Sequence, residues 1–272
     1  GPWASELEGA DAVINLAGRS VSCRYTDANL RQMMNSRVDS TRVIGAAIAQ
    51  AHSSGSAPKV WLQMSTATIY ADARSRGDDR AQGELNGTIG GEEPDVPLYW
   101  EYSVRIARRW EQAQADADTP GTRRIALRAA MVMTPDRGGV FDYLSWMARF
   151  GLGGAVAGGR QYVSWIHGDD FVRAVQFLLD REDLSGPVNL AAPDPVSQRD
   201  LMRSLRQAWG RPFGLPATRS MAELGALVLR TDTELLLKSR RVVPTRLLDA
   251  GFRFTQPVWS AAATDLAARS RA

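Results

Sequence analysis

The sequence predicts an α/β fold, a doubly wound parallel sheet followed by a smaller, mainly helical C-terminal portion. Three observations lead there. Short apolar runs alternate with longer stretches of helical periodicity. Small and hydroxyl-bearing residues gather just beyond the carboxyl ends of those runs. The strand rhythm stops near residue 133, after which helical patterns dominate.

The elements follow in order. Ala12–Leu16 is a short apolar run closing in Ala17-Gly18, the pattern of a buried parallel strand with a tight turn after it. Residues 27–51 read as a helix, because Leu30, Met33, Met34, Val38, Val43, Ile44 and Ile48 recur near helical spacing. A second strand runs from Lys59 to Met64 into Ser65-Thr66-Ala67-Thr68-Ile69-Tyr70. The polar, glycine-rich stretch 71–97 is too long for a plain connection and suits a lid or a solvated loop. A second helical pattern covers 98–116, with Ile106, Trp110 and Ala113 on one face. Residues 124–133 read as the third strand, and strand–helix–strand–helix–strand requires a parallel sheet with right-handed crossovers.

Beyond Thr134-Pro135-Asp136 a helix is expected over 141–150, then a glycine-rich loop over 151–159. His167-Gly168-Asp169-Asp170 opens a helix ending near Asp180, and the two aspartates look like its N-terminal caps. Residues 187–192 form another short strand, and 197–272 read as helices with one extended piece around Phe252-Arg253-Phe254.

Composition narrows the function classes. The 272 residues are 44% hydrophobic and 23% charged, an ordinary globular balance. No apolar run reaches the eighteen or so residues that a membrane span needs, and no membrane partner is expected. The net charge is +3, and 31 of the 33 basic side chains are arginine, only Lys59 and Lys238 being lysines. The arginines are spread along the chain without an interleaved aromatic platform, so nucleic acid is not an expected partner either. The lone Cys23 excludes an internal disulfide and points to a reducing, cytoplasmic setting, and the arginine excess suits a GC-rich, bacterial genome. With two histidines far apart in sequence, no metal constellation is expected.

In open parallel sheets, ligands bind beyond the carboxyl ends of the strands. Asn15-Leu16-Ala17-Gly18, Ser65-Thr66 and Ala129-Ala130 occupy three such ends. Val13-Ile14-Asn15-Leu16-Ala17-Gly18 resembles the Asn-x-Ala-Gly element of the short-chain dehydrogenases, and Ser65 to Tyr70 the Ser-Ser-x-x-Val-Tyr element of their extended, epimerase-like branch. Residues 36–42, Gly159 to His167, Gly186 to Leu190, and the tail from Ser239-Arg240-Arg241-Val242-Val243-Pro244 to Phe252 resemble the atypical "epimerase family protein" group. This resemblance covers essentially the whole chain.

The resemblance implies a Rossmann-like sheet that is N-terminally truncated here, because the family's first β-α-β segment carries a glycine-rich loop that holds the pyrophosphate. No Gly-x-x-Gly-x-x-Gly occurs in the chain. It implies a partial dinucleotide-binding unit over 1–133, with 166–192 packing back onto it, and a substrate unit from 134–165 and 193–272. The cofactor implied is NADP or NAD, with NADP favoured, and a chain lacking that loop is expected to hold it poorly and to be poorly stable alone. Cofactor-lining residues carried over are Asn15, Ala17, Gly18 and Ser65; Thr66 and Tyr102 take the catalytic positions. Arg160, Gln161, Trp165 and His167 are candidates for the pocket of a small-molecule substrate, with a structural role for His167 the stronger alternative. A homodimer is an expectation of the same kind.

One departure bears on chemistry. The superfamily places a lysine four residues after the catalytic tyrosine, but Ile106 stands four after Tyr102. A tyrosine without that lysine can donate a proton but is a poor base. The sequence therefore leaves two readings open, an oxidoreductase or epimerase-like enzyme and a catalytically silent dinucleotide sensor.

Overall fold

The computed structural model describes residues 2–21, 23–72, 79–93, 96–218 and 237–271. Four strands form one parallel sheet in the order β1 (Ala12–Asn15), β2 (Val60–Thr66), β3 (Arg123–Ala129) and β7 (Gly186–Leu190). Strands β2, β3 and β7 are largely buried on both faces, as a sheet covered on both sides demands, whereas Ile14 on the edge strand β1 is exposed.

Helices α1 (Asp27–Ser53) and α2 (Leu98–Ala115) cover one face. The hydroxyl of Thr26 caps α1 by accepting from the Asn29 amide at 3.3 Å. Below it, Val13, Ile48 and Trp61 are buried together. Gly45 sets how closely α1 can approach, since a Cβ there would stand 2.8 Å from the Ala117 Cβ and 3.5 Å from the Trp61 ring. The other face is covered by α4 (Gly168–Asp180), whose Ala174 and Leu178 pack with Leu62, Ile125, Leu127, Val188 and Leu190. Leu247, on α6 (Thr245–Asp249), and Phe252 join this same core.

A second core belongs to the C-terminal helices. It unites α3 (Val140–Arg149), α5 (Gln198–Ala208) and α7 (Trp259–Arg269) around Phe141, Leu201, Leu205, Trp165 and Trp259. The rings of Trp165 and Trp259 meet edge to face at 5.0 Å.

Three sequence expectations change. The strand expected over 124–133 breaks at Ala130, whose amide donates to Leu190 O while that of Met131 turns to Ser164 O. Residues Met131–Met133 become β4, which pairs in parallel with β6 (Trp165–His167) as a separate two-stranded sheet. A second small sheet pairs β5 (Tyr162–Val163) antiparallel with β8 (Val196–Ser197). Leu16 falls outside β1 and is exposed. The cap of α4 is His167 rather than Asp169 or Asp170: its Nδ1 accepts from the Asp169 amide at 3.1 Å. Asp170 is fully buried instead, accepting from the backbone of Thr255 and Gln256 and from the Thr255 hydroxyl. Within the stretch 71–97, residues 73–78 and 94–95 lie outside the described residues, as do 219–236 of the helical tail.

Candidate functional site

The end of β1 is built around Asn15. Its buried carboxamide donates to Gln63 Oε1 at 2.9 Å and accepts from the Ala17 amide at 3.0 Å. Held at both ends, the side chain turns Ala17 and Gly18 outward, and both are exposed. Ser36 on α1 fastens the next residue, its Oγ accepting from the Arg19 amide at 3.0 Å. Arg37 lies against the turn, where a Cβ on Gly18 would stand 3.3 Å from the guanidinium carbon. The guanidinium also lies over the Trp110 ring, 4.9 Å from its centroid, and donates to Met33 O at 3.1 Å. Burial pulls it below the ordinary arginine range.

One strand further, the polar side chains meet each other. Ser65, Arg128 and Asn189 stand in register across β2, β3 and β7. Ser65 is buried and its hydroxyl donates to Glu111 Oε1 at 2.6 Å. Glu111 also takes a bidentate pair from Arg128, Nε at 2.9 Å and a terminal nitrogen at 2.8 Å. The other terminal nitrogen of Arg128 donates to the Tyr70 hydroxyl at 2.9 Å, which donates in turn to Asn189 Oδ1 at 2.9 Å. Burial alone would lower the Arg128 pKa, but the hydrogen bonds and charge of Glu111 raise it above the ordinary value. Burial pushes the Tyr70 hydroxyl up. Asn189 completes the row: its amide donates to Glu84 Oε1 at 2.8 Å and its Nδ2 to Val243 O at 2.9 Å.

Thr66 ends β2 and opens the single helical turn Ala67–Ile69, its Oγ1 accepting from the Thr68 amide at 3.1 Å. The tail reaches the same turn, with Lys238 Nζ donating to Thr68 O at 3.1 Å and the Arg240 guanidinium to the Thr68 hydroxyl. Tyr102 projects from α2 toward α1, packed beside Leu30, Met33 and Ile106. It lines an open cleft of about 810 Å3 with Tyr25, Tyr99, Arg105 and Arg109, and the Arg105 guanidinium lies 4.3 Å from its ring centroid. Among the described residues no hydrogen bond joins Tyr102 to Thr66.

The four residues nominated for the substrate pocket sit elsewhere. Arg160 is exposed. Gln161 is buried and donates to Val156 O at 3.1 Å. Trp165 is buried in the C-terminal core, its indole nitrogen donating to Asp194 O at 3.1 Å. His167, also buried, caps α4 through Nδ1 and faces Asp265 Oδ2 through Nε2 at 3.2 Å. None of the four lines the Tyr102 cleft. Among the described residues no cluster of three metal-ligating side chains occurs, and no helix is long and apolar enough to cross a membrane.

Sequence reasoning missed Arg37 and Glu111. Arg37 had a signal: it continues the buried stripe Leu30, Met33, Thr41, Ile48 of α1, and a charged side chain inside an apolar stripe is an anomaly. Glu111 had none, because its partners lie 46 and 17 residues away.

The NAD dependent epimerase/dehydratase family matches residues 3–191, and a Domain of unknown function (DUF1731) matches residues 221–266. The Epimerase family protein ML0860 of Mycobacterium leprae is 32% identical over 247 residues, which cover 90% of this chain and 73% of that protein. The Epimerase family protein YfhF of Bacillus subtilis is 27% identical, over 92% and 76% of the two chains. Among solved structures, human epimerase family protein SDR39U1 (isoform2) with NADPH superposes with a TM-score of 0.83 at 24% identity, covering 98% of this chain and 85% of that one. The UDP-N-acetylglucosamine 4-epimerase of Bacillus cereus superposes with a TM-score of 0.65 at 13% identity, over 99% and 81%. The chain belongs to the NAD dependent epimerase/dehydratase family.

Proposed function

We propose that this family member binds an NADP(H) or NAD(H) dinucleotide at the end of β1, NADP(H) being favoured, and acts on a small-molecule carbonyl or hydroxyl compound in a reducing, cytoplasmic setting. The observation that carries the reading is the Asn15–Ala17–Gly18 turn. A buried carboxamide presents exposed, side-chain-poor backbone at the carboxyl end of a parallel strand, where a dinucleotide can approach closely. The fold is that of a relative solved with NADPH. When bound, the dinucleotide supplies a hydride donor or acceptor. The protein's part is orientation and proton handling: Asn15, Ala17 and Gly18 line the cofactor with Ser65 one strand over, and the hydroxyls of Thr66 and Tyr102 address the substrate oxygen.

Fluorescence titration of the full-length protein with NADPH, and with NADH in parallel, tests this. Saturable micromolar binding supports the reading and selects the cofactor; a folded protein that binds neither overturns it.

The second reading is a dinucleotide sensor without turnover. It draws on one arrangement: the Thr66 hydroxyl caps its own turn, while Tyr102 is stacked by Arg105 and followed by Ile106. It expects binding without turnover across a panel of carbonyl substrates, and Tyr102→Phe with Thr66→Val leaving any observed rate unchanged.

A further inference from the structure

We propose that Arg37 recognises a phosphate group of the bound dinucleotide, an inference that rests on the binding site proposed above. A guanidinium removed from water is costly unless paired, and buried arginines are ordinarily matched by a carboxylate. Arg37 is half-buried on α1, yet among the described residues no carboxylate pairs with it. Of its five N–H groups, one donates to Met33 O, and one face of the ion lies on the Trp110 ring. Neither neighbour carries the charge that would compensate the ion. Desolvation accordingly depresses its pKa, with only Tyr25 acting in the opposite direction.

Its place supplies the reason for keeping it. The guanidinium borders the Ala17–Gly18 backbone, and a Cβ on Gly18 would stand 3.3 Å from its carbon and crowd it. Gly18 is not in the left-handed region, so its small size rather than its backbone freedom is what the site uses. Ser36, the residue before Arg37, pins the Arg19 amide to the same turn of α1. Strand end and cation are therefore fixed relative to one another. A planar ion with unused N–H groups, stacked on the Trp110 ring and set beside exposed backbone, suits a bidentate phosphate oxygen pair.

Two phosphate sources fit this chemistry, the pyrophosphate common to both cofactors and the 2′-phosphate of NADPH alone. NADPH and NADH affinities of the full-length protein, measured by fluorescence titration for wild type, Arg37→Met and Arg37→Lys, separate them. Arg37→Met keeps a long side chain against Trp110 and removes the charge. It is expected to weaken binding roughly 10- to 100-fold, the range for a hydrogen bond to a charged group. Loss with both cofactors identifies the pyrophosphate, and loss with NADPH alone the 2′-phosphate. Arg37→Lys, a point charge without the fork, should recover part of the loss. Gly18→Ala is the second probe if Arg37→Met fails to fold, since it leaves the ion in place and puts a methyl against it; a several-fold loss is expected. Wild-type binding with Arg37→Met, or Gly18→Ala in its place, within twofold of wild type overturns the assignment and spares the binding site. A folded wild type that binds neither cofactor overturns both.

Discussion

At the end of β1 the polar groups point outward: the backbone of Ala17 and Gly18 is exposed, and Arg37 stands beside it with no carboxylate paired to it among the described residues. At the ends of β2, β3 and β7 they point at each other, and Ser65, Glu111, Arg128, Tyr70 and Asn189 form one closed row. Both regions occupy the position where a parallel sheet binds ligands, yet they differ in what has already been satisfied. A closed row has its hydrogen bonds satisfied within the protein and gives the sheet a fixed register. An open turn contributes little to stability and leaves its groups for recognition.

The sharpest way to break that contrast is to remove one arginine from each region. Arg128→Met leaves the half-buried Glu111 without its partner and should cost up to about 3–5 kcal/mol in urea denaturation. Arg37→Met, which strips no partner of its counter-charge, should cost less than about 1.5 kcal/mol, the ordinary worth of one hydrogen bond. Equal losses would mean that the two regions are not differently built. A smaller effect separates the two nominated catalytic hydroxyls. Thr66→Ala removes a cap and should cost about 1 kcal/mol, whereas Tyr102→Phe, whose hydroxyl makes no hydrogen bond among the described residues, should stay within about 0.5 kcal/mol. Thermal denaturation of the two variants distinguishes them.

The smallest expected effect lies in two carboxylates of the 79–93 stretch, which should respond to pH with opposite sign. Burial raises Glu84 above the ordinary glutamate value, against the amides of Asn189 and Arg246. The native state therefore holds its proton more tightly, and that contribution, present below about pH 4.3, is lost as pH rises through the raised value. Glu93 is lowered: burial would raise it, but the amides of Gly91 and Asp72 and the charge of Lys238 prevail. Its contribution is present at neutral pH and lost as pH falls through the lowered value. Stability measured at pH 4 and pH 7 should thus move in favour of Glu84→Gln, and against Glu93→Gln, on going to the higher pH.

Local patterns carried most of the architecture. The apolar spacing of Leu30, Met33, Val38 and Ile48 marks α1 because helical period and burial coincide there. The strand break at Ala130 was not legible, since it depends on Leu190 and Ser164 drawing adjacent amides in different directions. The cap of α4 was misread because an aspartate and a histidine both accept from an amide, and only the fold shows which does. For the site, Asn15, Ala17 and Gly18 were legible as a turn of small residues. The commitment of Ser65 was not, because Glu111 reaches it from another helix. Trp165 reads in sequence as a pocket residue and His167 more readily as a structural one, but their neighbours Trp259 and Asp265 stand nearly a hundred positions later, beyond the reach of local pattern.

The tail segment 238–243, which reaches back to Thr68 and Asn189, also sets a timetable. Asn189 finds its Val243 acceptor 54 residues later, Ser164 meets Arg240 across 76, and Thr68 meets Lys238 across 170. Contacts of such sequence separation close late and slow the approach to the native state. At about 5–20 residues per second on the ribosome, Asn189 waits roughly 3 to 10 s for its partner to be synthesised. During that interval the sheet emerges with one end of its polar row unfinished, so the last stretch of the chain decides when the first can settle.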